Sequence, residues 1–110
     1  VEVKLNFDLI VTIVKKGCAE RVVRASKEAG AEGGTVVLAR GTGIHEQKSI
    51  LGIPIEPEKE MILTLVPEES TDRILKAIIT AGELEKPATG IVFVLDVKKV
   101  AGIVHLMENC

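Results

Sequence analysis

The chain repeats itself. Displaced by 52 positions, residues 9–30 lie over 61–82, and seven of the 22 pairs are identical: Ile10/Ile62, Thr12/Thr64, Val14/Val66, Arg21/Arg73, Ala25/Ala77, Ala29/Ala81 and Gly30/Gly82. Chance would supply about one or two identities in so aliphatic a composition. After a four-residue adjustment the match resumes, with Gly34, Thr35, Val36 and Val37 over Gly90, Ile91, Val92 and Phe93. Such a chain builds its core from two copies of one unit. With 110 residues it has room for one core, so 1–110 is expected to form a single domain.

Each half reads as strand, helix, strand. Segments 9–14 and 61–66 are short and rich in β-branched residues, as are 35–40 and 91–97. Between them Ala19, Val22 and Val23, then Ile74, Leu75, Ile78 and Ile79, recur at helical spacing, which predicts helices over 18–29 and 69–81. Gly30 and Gly82 are expected to end them in the left-handed conformation. Glu68, Glu69 and Asp72 suit the positive end of the second helix. Two such units predict an α+β, ferredoxin-like βαββαβ sandwich, a duplicated βαβ with both helices on one face of a four-stranded antiparallel sheet.

A sheet with one wet face should alternate apolar and polar residues. Here Leu9, Val11 and Ile13 oppose Ile10 and Val14, and Ile91, Phe93 and Leu95 oppose Val92 and Val94. Both faces are apolar and helices can cover only one. A closed homo-oligomer with its sheets facing inward is the expected remedy.

Between Arg40 and Glu60 the pattern lapses into Gly41-Thr42-Gly43, Gly52, Pro54 and Pro57, with Ile44, Ile50, Leu51, Ile53 and Ile55 among them. A long loop with glycine hinges and apolar tips suits a docking finger over about 41–58. Its candidate contacts are Ile44, His45, Ile50, Leu51 and Ile53. Gly41 and Gly43 follow a strand, where bare backbone N–H groups can approach an anion. Lys86-Pro87-Ala88-Thr89-Gly90 precedes the last strand, and in a trimer the two loops could meet across a subunit boundary.

Other chemistries find little footing. A net charge of −2 with no Trp or Tyr argues against a nucleic-acid surface. No apolar run approaches a membrane span, and no basic-then-apolar leader opens the sequence. Cys18 and Cys110 make no disulfide framework, so a reduced, cytoplasmic protein is expected. His105 and Cys110 lack a third ligand nearby, and no metal centre is expected. Arg21, Arg24, Lys27 and Glu28 read as the wet face of the first helix. No nucleophile–base arrangement is evident, and a non-enzymatic protein is expected.

Four stretches resemble the nitrogen-regulatory PII family of signalling proteins: Gly34-Thr35-Val36; Gly41-Thr42-Gly43; Val66-Pro67-Glu68-Glu69; and residues 89–97 with Val100-Ala101-Gly102-Ile103. The resemblance implies a homotrimer that binds adenine nucleotide in clefts between subunits and regulates a transporter, enzyme or regulator through its long T-loop, here 41–58. ATP or ADP would be an effector, and no cofactor would be permanently bound. By position, Thr35, Gly41 and Gly43 would flank the nucleotide, and Thr89 and Gly90 would lie at the phosphate-facing loop, with Lys86 a substitute cation there. The pattern departs where the family's basic residues fall on Ile44, Ile91, Gly102 and Val104, and its strand glutamate on Leu63. The alternative is a trimeric small-ligand or metal-binding protein resembling the divalent-cation-tolerance family.

Overall fold

The computed structural model describes residues 6–43 and 48–103, with the backbone alone at Lys48, Ile50 and Pro54. In chain order the elements are β1 (Phe7–Lys15), α1 (Ala19–Glu28), β2 (Thr35–Arg40), β3 (Lys48–Ile50), β4 (Ile53–Ile55), β5 (Glu58–Pro67), a 3₁₀ turn (Glu68–Ser70), α2 (Thr71–Ala81) and β6 (Gly90–Val97). Four strands form one antiparallel sheet in the order β2-β5-β1-β6. This is the ferredoxin-like sandwich expected from the repeat.

The register reveals an internal twofold axis. Val11 pairs with Leu63, its own counterpart in the second half. The helices obey the same symmetry. Arg21 Nε donates to the Ala81 carbonyl at 2.6 Å, and Arg73 Nε donates to the Ala29 carbonyl at 2.7 Å. Each helix thus uses an arginine of its first turn to satisfy an open carbonyl at the other's C-terminus, where the dipole favours a cation. Arg21 is exposed, as expected for the wet face of α1, and has this structural role besides. Gly30 (φ 115°) makes room for the exchange, because a Cβ there would meet the Arg73 guanidinium. Its repeat mate behaves otherwise: Gly82 stays right-handed, and the left-handed residue is Glu83 (φ 53°).

The helix N-termini are tied to the sheet. Glu60 Oε1 accepts from the Gly17 and Ala19 amides, so a carboxylate from β5 does for α1 what Cys18 at the N-cap does not. At the other helix the Thr71 hydroxyl donates to Asp8 Oδ2 of β1 at 2.7 Å.

The core lies between helices and sheet, and is aliphatic: Ile10, Val14, Val22, Ile62, Val66, Ile74 and Ile78 are all buried. Two repeat-equivalent hydroxyls sit among them. Thr12 and Thr64 are fully buried, and neither Oγ1 has a hydrogen-bond partner. An unpaired buried hydroxyl is unfavourable by ~1–3 kcal/mol. Thr12→Val and Thr64→Val are therefore each expected to raise stability by about 1 kcal/mol, read from the urea midpoint at constant slope.

The opposite face carries the apolar rows that alternation foretold. Phe93, Val11 and Leu63 lie side by side, as do Ile91, Ile13 and Met61, and Leu95, Leu9 and Leu65. The face is not bare throughout: Phe7 and Val11 of the central strand are buried. It is open along β6, where Ile91 is 55%, Phe93 40% and Leu95 49% exposed.

The segment between β2 and β5 is more regular than its sequence suggests. β3 and β4 pair only with each other in a two-stranded ribbon. Leu51 (φ 53°) and Gly52 (φ 80°) make its two-residue turn, the backbone signs of a type I′ hairpin. The lapse of pattern was local, since Ser49, Ile53 and Ile55 still suit a strand. No helix among the described residues is long and apolar enough to cross a membrane.

Candidate functional site

The site lies where the hairpin leaves the sheet. β2 ends at Arg40, paired with Glu58 of β5, and the Gly41 amide donates to the Pro57 carbonyl at 3.2 Å, closing the hairpin's root. Beyond it the Thr42 and Gly43 amides make no hydrogen bond to any other described residue. These three residues form one wall of a cavity of about 420 Å³. Ile13, Ala39 and Lys59 floor it, and Ala88, Gly90 and Ile91 form the far wall. Its lining is mainly aliphatic and glycyl, with Arg40 and Lys59 as its only charged residues among those described.

Lys59 is a buried lysine on the apolar face of β5, in line with Met61, Leu63 and Leu65. The sequence reading passed over it and over Arg40. The available signal was alternation, since a charge at an otherwise apolar strand position is the kind of exception that marks a site.

A second hollow of about 380 Å³ adjoins the first, shares Ala39, Arg40 and Lys59 with it, and adds Lys16, Leu38 and Glu58. Lys16 Nζ and Glu58 Oε2 are 2.9 Å apart. Their hydrogen bond holds the Glu58 carboxyl below its ordinary range and the Lys16 amine above its own.

Gly41, Gly43 and Gly90 thus meet in one cavity. Gly90 is there by necessity: its φ of 152° lies outside the range of side-chain-bearing residues, and a Cβ would collide with the Ile13 carbonyl. Ala88, also left-handed at φ 61°, turns the chain into β6.

The other candidates lie elsewhere. The Thr89 hydroxyl is 2.9 Å from both the Glu83 and Lys86 carbonyls, and so is engaged in holding its own loop. Lys86 Nζ is 3.0 Å from Glu83 Oε1, keeps that carboxyl below its usual range, and lines a separate hollow of about 250 Å³ with Ile79 and Thr80. Thr35 begins β2, so one subunit holds it and Gly41 at opposite ends of a strand, about 20 Å apart. Leu51 sits at the hairpin tip, 96% exposed, with Ile53 exposed beside it. Ile50 lies in β3. Ile44, His45, His105 and Cys110 fall outside the described residues.

A family model described as nitrogen regulatory protein P-II matches residues 7–105. Among solved structures, that of Arabidopsis thaliana PII bound to citrate matches at 22% identity with a TM-score of 0.72, covering 92% of this chain and 86% of that one. No curated protein sequence matches the chain.

Proposed function

The chain belongs to the nitrogen regulatory protein P-II family, and from that premise we propose that it is a non-enzymatic cytoplasmic signalling protein, a homotrimer that senses an adenine nucleotide or another small anion and reports it through the hairpin. The observation that carries this reading is the double duty of Gly41, Thr42 and Gly43. They are cavity wall and hairpin limb at once. A ligand held by their amides fixes the direction in which the hairpin leaves the sheet. Leu51 and Ile53 at its exposed end are the surface offered to a target protein.

The trimer supplies two things. It covers the open β6 row, and it gives Thr35 a route to the nucleotide. Thr35 is too far along β2 to join Gly41 within a subunit, so its share in the site requires the neighbour's β2.

Titration calorimetry with ADP tests the reading. Binding in the micromolar range is expected, accompanied by slower amide exchange across 41–58. Arg40→Gln should weaken it at least tenfold, since a charge-assisted hydrogen bond to phosphate is worth ~1.5–3 kcal/mol. Silence from adenine nucleotides, with stabilisation by divalent cations instead, would overturn the reading in favour of a metal-binding trimer.

A further inference from the structure

We infer that Lys16 is a positioning residue for the effector site: by holding the Glu58 carboxylate, it leaves the Arg40 guanidinium open to an anion. This rests on the reading of Arg40 as an effector contact, and adds what keeps that contact available.

Side chains alternate between faces along β5, and Ile62 lies in the core beneath the helices, so Glu58 and Glu60 share the helix side. Arg40 pairs with Glu58 across β2 and β5 and therefore faces the same way. Lys59 belongs to the other face, opposite Ala39 on one side and Lys15 on the other. Lys16 meets Glu58 from the β1 side, its amide donating to the Glu58 carbonyl at 3.3 Å. Lys16, Glu58 and Arg40 thus form one row across the root of the hairpin, with the carboxylate in the middle.

The carboxylate has taken one side. Its Oε2 is 2.9 Å from Lys16 Nζ. Directly opposed strand residues have Cβ atoms ~4.5–5.5 Å apart, so Arg40 is within its reach as well. Yet among the described residues the Arg40 guanidinium makes no hydrogen bond and no ion pair at bonding distance. The two charges still act on each other. Lys16 is the main cause that holds the Glu58 carboxyl below its ordinary range, and Arg40 adds to it. Glu60, two residues on, is committed to the Gly17 and Ala19 amides at the start of α1.

Arg40 borders both the hollow on this side and the cavity beyond it. A guanidinium so placed offers paired donors to an anionic group. If Lys16 released Glu58, Arg40 would be the next cation in the row, and the pair they formed would take those donors from the ligand.

Titration calorimetry with ADP tests this on the whole protein in four forms: the parent, Lys16→Gln, Glu58→Gln and the double variant. Lys16→Gln is expected to weaken binding about fivefold in the parent, and by less than about twofold in the Glu58→Gln background. The Arg40 Nε–H resonance gives a check without ligand: its hydrogen exchange should slow in Lys16→Gln and return to the parent rate in the double variant. Both side chains are more than half exposed, so the fold should survive, and far-ultraviolet circular dichroism checks this. An equal loss in both backgrounds overturns the inference, for Lys16 would then act through overall charge. Unchanged affinity in Lys16→Gln overturns it too, since Glu58 would not have turned to Arg40. Silence from ADP in all four forms overturns the effector reading instead, and the Arg40 exchange rates then decide the positioning role alone.

Discussion

Phe93→Asp is expected to leave each subunit folded and to abolish its self-association. Phe93 lies on the open row of β6, beside Val11 and opposite the helices. The core that holds the subunit together is on the other side of the sheet, among residues such as Ile10, Ile62, Ile74 and Ile78. The substitution therefore removes nothing from that core. In a closed assembly each copy would bury an unpaired carboxylate, and would lose ~1.5–3 kcal/mol of apolar burial besides. Association should weaken by a factor of at least a hundred. Size-exclusion chromatography with light scattering should show the mass fall from about 35 kDa, three copies, to the 11.8 kDa of one. Helical circular dichroism should persist. A variant of unchanged mass would place Phe93 outside the contact.

Gly90→Val should act on the opposite balance, unfolding the subunit rather than separating it. Glycine alone is at ease at a φ of 152°, and any Cβ would strike the Ile13 carbonyl in the neighbouring strand. The Leu84 and Val14 side chains close the remaining space at 3.1 Å, so no rotation relieves the clash. A loss of about 3 kcal/mol or more is expected, a fall in Tm on the order of 10–20 °C. Gly90 also lines the cavity. Its replacement would lower ligand affinity through the fold as well as through the site, and Arg40→Gln, at an exposed position, is the cleaner probe of binding. A Gly90→Val protein that melts within a few degrees of the parent would mean that the start of β6 can shift away from β1.

How much of this was legible in the sequence follows from which residues carry it. The repeat named both helices, all four main strands and the antiparallel sheet they share, while the strand order came from the structure. It even marked Arg21/Arg73 and Ala29/Ala81 as equivalent. What it withheld was that the pairs cross, each arginine reaching the other helix, since identity at a fixed offset does not say which end of the partner lies near. The hairpin was hidden for a different reason. Its ribbon is three residues a side, too short for alternation to rise above its glycines and prolines. In the site, Gly41, Gly43 and Gly90 were visible because glycine is conspicuous beside a strand. Arg40 and Lys59 were not, because each reads locally as an ordinary strand charge, and only the pairing of β2 with β5 sets Arg40 opposite Glu58 and Lys59 opposite Ala39 at the hairpin's root. The partners of Thr89 and Lys86 within their own loop were not legible, because they depend on how the chain turns between α2 and β6.

The proposed trimer is the cover that the open row of β6 calls for, ahead of any ligand. Sedimentation equilibrium of the unliganded protein at low micromolar concentration measures this directly. A single species of about 35 kDa, unchanged on tenfold dilution, is the expected result. A folded particle of 11.8 kDa would contradict the account, for it would show that Ile91, Phe93 and Leu95 can stand in water without a partner.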